Sequence, residues 1–125
     1  MDDRKIKVLL VEDNAMNSQL VHYVLERDGF RVINATNAEQ AIRIASDESP
    51  DIILMDIQLP GIDGLQATGL LKQDPLTAAI PIVAITAHAM RGDEERIRAA
   101  GCEGYISKPI DTRALALIVR GYLEK

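Results

Sequence analysis

A doubly wound α/β fold, one parallel sheet between two layers of helices, is the architecture this sequence predicts. Two observations carry it: five short apolar runs rich in β-branched residues recur along the chain, and helical periodicity fills the gaps between them. Strand and helix in strict alternation require crossover connections, which are right-handed and bring helices to both faces of the sheet. A chain of 125 residues, 47% of them hydrophobic, supports one domain. At that size a folded surface of roughly 6,600 Å² replaces roughly 20,000 Å² in the unfolded chain, enough to bury one core.

The first predicted strand is Ile6 to Val11, an apolar run bounded by charge. Arg31 to Ala35, Ile52 to Met55, Ile82 to Ile85 and Gly104 to Ser107 read the same way, the last more weakly. Between them, apolar residues fall at spacings of three and four. Met16, Leu20, Val24 and Leu25 form one stripe, and Ala38, Ala41, Ile42 and Ala45 a second. Leu115, Ile118, Val119, Tyr122 and Leu123 form the last, each stripe being the face expected to pack on the sheet. Gly29, Pro50, Pro75 and Gly101 supply helix stops, while Asn14, Asn37, Asp93 and Thr112 stand ahead of helices as candidate N-caps.

Composition excludes several classes of function. No apolar stretch reaches the length of a membrane span, and the charged start followed by no small-residue cleavage site argues against a secretory signal. A cytoplasmic location is therefore expected. A net charge of −5 argues against nucleic acid as the partner. The single cysteine, Cys102, excludes an internal disulfide framework or a cysteine-based zinc cluster and is expected to be a small buried thiol.

In doubly wound folds, ligands bind outside the carboxyl ends of the strands, so the residues after each apolar run are the ones to inspect. Glu12 and Asp13 follow the first run, Asp56 the third, Thr86 the fourth, and Lys108 with Pro109 the fifth. Only Thr36 and Asn37 follow the second, which fits an edge strand away from the site. Three carboxylates at adjacent strand ends cannot all ionise without a compensating cation, and a site of few carboxylates suits Mg²⁺. Lys108 can pair with a carboxylate at rest and with a phosphoryl oxygen afterwards, and the Thr86 hydroxyl can donate to another. A carboxylate nucleophile, a metal, a lysine and a hydroxyl are the parts of phosphoryl transfer to aspartate.

With these residues in place, the chain resembles the receiver domain of two-component response regulators. The resemblance rests on VLLVEDN at Val8 to Asn14, ILMDIQLPGIDG at Ile53 to Gly64, VAITAHA at Val83 to Ala89 and YISKPI at Tyr105 to Ile110. EDNAMN, DIQLP and the segment Arg91 to Ile110 bring it nearest to DivK-like single-domain regulators and to receivers of hybrid histidine kinases. The family implies a three-layer flavodoxin-like fold with strand order 2-1-3-4-5, and a single receiver domain over 1–125 with no output domain. It implies a signalling switch rather than an enzyme, with self-phosphorylation from small donors and autodephosphorylation. By position, Asp56 is the implied phosphoacceptor from a phosphohistidine, with Thr86 and Lys108 holding the phosphoryl oxygens. Mg²⁺, or Mn²⁺ in its place, is implied on Asp13, Asp56 and the Gln58 carbonyl, with Glu12 acting mainly through water.

The resemblance also implies a cis peptide between Lys108 and Pro109, and it gives Gln58 and His88 the two positions that tune phosphoryl lifetime. Tyr105 is the implied switch residue of a readout face on the fourth helix, fifth strand and fifth helix, with Arg91, Arg96, Arg98, Arg113 and Tyr122. A histidine kinase or phosphotransferase is the implied donor, meeting Ala15, Met16, Asn17, Ser18, Pro109 and Ile110, with Asn14 and Asn17 contributing. No nucleic acid or membrane partner is implied. The protein is expected to be a monomer, with phosphorylation the event that would link two copies. Three other readings compete. A phosphatase of the haloacid dehalogenase type would need a second aspartate where Gln58 stands, and a nucleotide binder would need a glycine-rich turn where EDNAMN stands. A pseudo-receiver scaffold is disfavoured because every reacting position is chemically competent.

Overall fold

The computed structural model describes residues 5–59, 61–87 and 91–124; of Arg91 and Gly92 it describes the main chain. Five strands and five helices alternate without exception: β1 (Lys7–Val11), α1 (Ala15–Arg27), β2 (Arg31–Ala35), α2 (Ala38–Glu48), β3 (Ile52–Asp56), α3 (Gly64–Gln73), β4 (Ile82–Thr86), α4 (Arg91–Ala100), β5 (Gly104–Ser107) and α5 (Leu115–Leu123). All pairings are parallel and the order is β2-β1-β3-β4-β5, the arrangement expected from the sequence. β1, β3 and β4 lie inside the sheet and read as continuous apolar runs because both faces are covered. β2, at an edge, alternates between buried and open residues.

The alternation of side chains divides the core in two. Leu9, Val11, Ile53, Met55, Ile82 and Ala84 face α2, α3 and α4, meeting Ala41 and Ala45, Ala67 and Leu71, and Ile97. Val8, Leu10, Ile52, Leu54, Val83 and Ile85 face α1 and α5, meeting Val21, Val24 and Leu25, and Leu115 and Val119. Alanines on α2 let it lie close to the sheet. Cys102 is a buried thiol, 3.8 Å from the Thr68 hydroxyl, and burial pushes its pKa up. Among the described residues, no helix is long and apolar enough to cross a membrane.

Most helix ends follow their local signals. The Asn14 side chain accepts from Asn17 N and the Asn37 side chain from Gln40 N, as N-caps do. Gly29 and Gly101 take positive φ after α1 and α4. Two expected caps are corrected. Asp93 lies inside the first turn of α4, where its charge still favours the helix N-terminus. Thr112 belongs to a turn, and α5 begins later behind Ala114, which makes no side-chain cap bond. In that turn Ala114 N donates to Asp111 O at 3.1 Å, so the main chain satisfies itself.

The stripe expected on α1 also needs correction. Val21, Val24 and Leu25 are its buried residues, whereas Met16 and Leu20 are 80% and 50% exposed. At about 100° per residue, Met16, Leu20 and Tyr23 fall on a face about 120° from the buried one. Both faces satisfy spacings of three and four, so periodicity alone could not choose between them.

Candidate functional site

The parallel register brings the carboxyl ends of four strands level. Val11 pairs with Met55, Asp56 with Ile85, and Thr86 with Ser107, so the residues at or just beyond those positions share one rim. Asp56 and Thr86 are the last residues of β3 and β4, one position further into the strands than the apolar runs indicated. Glu12 leaves β1 with its amide donating to Ala35 O at 2.9 Å, which keeps the chain bound to the sheet as it turns. Glu12 and Asp56 are buried at 3% and 1% exposure, while Asp13 is open. One carboxylate oxygen from each of Glu12, Asp13 and Asp56 lies within 4.8 Å of the others.

Both Asp56 oxygens are held. Oδ1 accepts from Gln58 N at 2.9 Å, and Oδ2 accepts from Lys108 Nζ at 2.9 Å. Glu12 Oε1 accepts from Asn14 N at 3.1 Å, and its Oε2 lies 3.8 Å from Lys108 Nζ. Lys108 N donates to Thr86 O at 2.8 Å, which ties the loop after β5 to the end of β4. The Lys108–Pro109 peptide is cis, as expected. Thr86 is fully buried at the same rim. The structure thus gathers Glu12, Asp13, Asp56, Gln58, Thr86 and Lys108; His88 and Pro60 lie outside the described residues, as does the Arg91 side chain.

The charges do not balance. Among the described residues three carboxylates face one ammonium, and burial, with the Asp56 charge adding to it, raises the Glu12 pKa from its ordinary value against the opposing effects of the Asn14 amide and Lys108. A cluster of hard oxygen donors, partly buried and short of positive charge, fits a divalent cation that retains several waters.

The expected readout residues are spread around the β5 edge. Tyr105 is half-buried on the side of the sheet that carries α4, and Tyr122 packs on the opposite side, its ring against Gly104. Arg96 pairs with Asp93 at 3.2 Å, and Arg98 donates to Glu103 O at 3.2 Å. Arg113 is 94% exposed beside Asp111.

Next to the carboxylates, Asn17, Leu20, Val21, Pro109 and Ile110 line a recess of about 380 Å³ that reaches Glu12 and Lys108. Asn17, Pro109 and Ile110 were expected there; Leu20 and Val21 were not, although a correct phase for α1 would have found Leu20. A larger groove of about 900 Å³ runs along α1 toward Asn34 and holds none of these carboxylates, so size does not mark the site. Gly64 was also missed. It is the last residue of the ILMDIQLPGIDG segment, and it packs against the main chain of Asp56 and Ile57.

The family model described as the response regulator receiver domain matches residues 8–120. The polar-differentiation response regulator DivK of Brucella anthropi is 47% identical over 116 residues, covering 93% of this chain and 94% of the relative. The receiver domain of sensor histidine kinase PA1611 from Pseudomonas aeruginosa was solved with a magnesium ion coordinated in its active-site cleft. It matches with a TM-score of 0.89 at 34% identity, covering 98% of this chain and all of that one. The Vibrio cholerae chemotaxis response regulator CheY4 matches with a TM-score of 0.90 over 95% of this chain and 99% of its own, a likeness of fold at 23% identity. Family match, identity and sheet topology agree: the chain belongs to the response regulator receiver domain family of two-component signalling.

Proposed function

We propose that Asp56 is the phosphoacceptor of this receiver and that Glu12, Asp13, Asp56 and the Gln58 carbonyl hold Mg²⁺, with Glu12 acting mainly through water. The observation that carries the reading is the buried Asp56 carboxylate, pinned at both oxygens, with Glu12 and Asp13 oxygens within 4.8 Å and Lys108 Nζ at 2.9 Å. When bound, Mg²⁺, or Mn²⁺ in its place, neutralises charge and orients phosphoryl oxygens.

In transfer, an Asp56 oxygen attacks the phosphorus of a phosphohistidine. The new P–O bond forms as the P–N bond breaks, and the imidazole leaves with the electron pair and takes a proton from solvent. Lys108 passes from the carboxylate to a phosphoryl oxygen, and the Thr86 hydroxyl donates to another. The acyl phosphate carries about −1.5 to −2 charges where the carboxylate carried −1, and it presents strong acceptor oxygens beside Thr86. As Thr86 turns toward it, space opens beside β4 that Tyr105 fills, which biases the α4, β5 and α5 surface between two packings. Arg96, Arg98, Arg113 and Tyr122 border that surface, with Arg91 at the start of its α4, and a downstream protein reads it. Hydrolysis of the acyl phosphate resets the switch, with Gln58 and His88 shaping water access.

The donor is a histidine kinase or phosphotransferase in the cytoplasm. Exposed Leu20, which lines the recess with Pro109 and Ile110, and exposed Met16 on the same helix support an apolar contact with a donor helix. The resting protein is a monomeric single receiver domain over 1–125, and phosphorylation is the event that links two copies. The test is intact-mass spectrometry after incubation with acetyl phosphate. Wild type with Mg²⁺ gains about 80 Da, and neither Asp56→Asn nor a metal-free sample does. An equal gain in Asp56→Asn overturns the reading.

A further inference from the structure

The geometry points to Gly64 as a positioning residue for the phosphoacceptor, an inference that rests on the reading of Asp56 above. Gly64 opens α3 and is buried, and its φ is not in the positive range, so what it supplies is space rather than conformational freedom. A Cβ there would stand 2.6 Å from Ile57 Cα and 3.0 Å from the Asp56 carbonyl carbon, and closer still to the Asp56 carbonyl oxygen. All three are main-chain atoms, so no change of rotamer relieves the overlap.

Neither neighbouring element gives way easily. Ile57 N donates to Ile85 O at 3.2 Å, which fastens the acceptor end of β3 to β4. The first turn of α3 is fixed by a reciprocal cap, with the Asp63 side chain accepting from Gln66 N at 2.9 Å and Asp63 N donating to Gln66 Oε1 at 3.2 Å, and Ala67 and Leu71 lie in the core. Between these supports, Gly64 N donates to Ile57 O at 3.3 Å, and the short loop that follows carries Gln58, whose amide holds Asp56 Oδ1. Displacement forced by a side chain at position 64 falls on that loop, shifting the Gln58 main chain and the direction of the Asp56 carboxylate. Gly69, in the same helix, has open space where a Cβ would stand, with nothing within 4 Å, and serves as the control.

The experiment compares wild type, Gly64→Ala, Gly69→Ala and the double variant. It measures Mg²⁺ affinity by calorimetry and the rate of phosphorylation by acetyl phosphate at saturating Mg²⁺, on chains whose NMR spectra are dispersed. Gly64→Ala is expected to weaken Mg²⁺ binding about fivefold and slow phosphorylation about tenfold, while Gly69→Ala stays within about twofold of wild type. A folded Gly64→Ala chain within about twofold of wild type in both measurements overturns the assignment. Where Gly64→Ala alone does not fold, the double variant, stabilised by alanine in the helix, is measured in its place. If neither chain folds, the glycine serves folding rather than the site and the assignment is again overturned. A wild type that binds Mg²⁺ yet accepts no phosphoryl group from acetyl phosphate or a phosphohistidine donor defeats the reading of Asp56, while the Mg²⁺ comparison still decides Gly64. A wild type that binds no Mg²⁺ overturns both.

Discussion

Lys108 Nζ reaches Asp56 Oδ2 at 2.9 Å across a span of 52 residues, and it stands 3.8 Å from Glu12 Oε2. One ammonium therefore bridges the two buried carboxylates of the site. Removing it has opposite consequences for stability and for cation binding. Without metal, Lys108→Met leaves Asp56 and Glu12 without their counter-charge and is expected to cost on the order of 2–3 kcal/mol, less than a fully buried pair because Lys108 is partly exposed. Mg²⁺ affinity is expected to rise severalfold, since a competing positive charge is gone. Denaturation without metal and Mg²⁺ titration check the two halves separately.

The raised Glu12 pKa gives stability a pH dependence of definite sign. The folded chain holds the Glu12 proton to higher pH than the unfolded chain, so between the ordinary value of 4.5 and the elevated folded value, stability falls as pH rises. Above that window the penalty is constant. Glu12→Gln removes this contribution, so in chelator its advantage over wild type should grow as pH rises through the window and then level off. Mg²⁺, which compensates the ionised carboxylate, should shrink the difference. Urea denaturation across the pH range with and without Mg²⁺ is the check.

Exposed apolar residues on α1 should matter to a protein donor and not to a small one. Leu20→Glu places a charge beside the recess formed with Pro109 and Ile110. Phosphotransfer from a cognate histidine phosphotransferase should fall about tenfold or more, the scale of one lost apolar anchor, with the acetyl phosphate rate unchanged. Parallel rates from the two donors test this.

At the β5 edge, Gly104 leaves room for Tyr122. A Cβ at position 104 would meet the hydroxyl of Tyr122 and approach its ring carbons Cζ at 2.8 Å and Cε1 at 2.9 Å. Gly104→Ala should therefore destabilise by about 1–3 kcal/mol, and Tyr122→Leu in the same chain should recover part of that loss. A double-mutant cycle by chemical denaturation measures the coupling.

Most of the site was legible in sequence because a parallel sheet converts order along the chain into position at one rim. Glu12, Asp13, Asp56, Thr86 and Lys108 each end or follow an apolar run, and parallel pairing leaves those ends nowhere else to be. What was not legible depended on distances that spacing does not encode. Met16, Leu20 and Val24 satisfy the same period as Val21, Val24 and Leu25, and only contact with the sheet decides which face is buried. Asp93 is favoured by the same helix field at the cap and in the first turn. Gly64 carries no side chain to signal chemistry, and its importance lies in the atoms of Asp56 and Ile57 that a side chain would strike.

The central claim is that a phosphoryl group becomes bonded to Asp56. Hydroxylamine treatment of the phosphorylated chain, followed by peptide mapping, locates the bond, because an acyl phosphate is converted to a hydroxamate that adds about 15 Da to the residue that carried it. The expected result is that mass on Asp56, dependent on Mg²⁺ during phosphorylation. A hydroxamate on any other residue, or a phosphoryl adduct that hydroxylamine does not remove, contradicts the account.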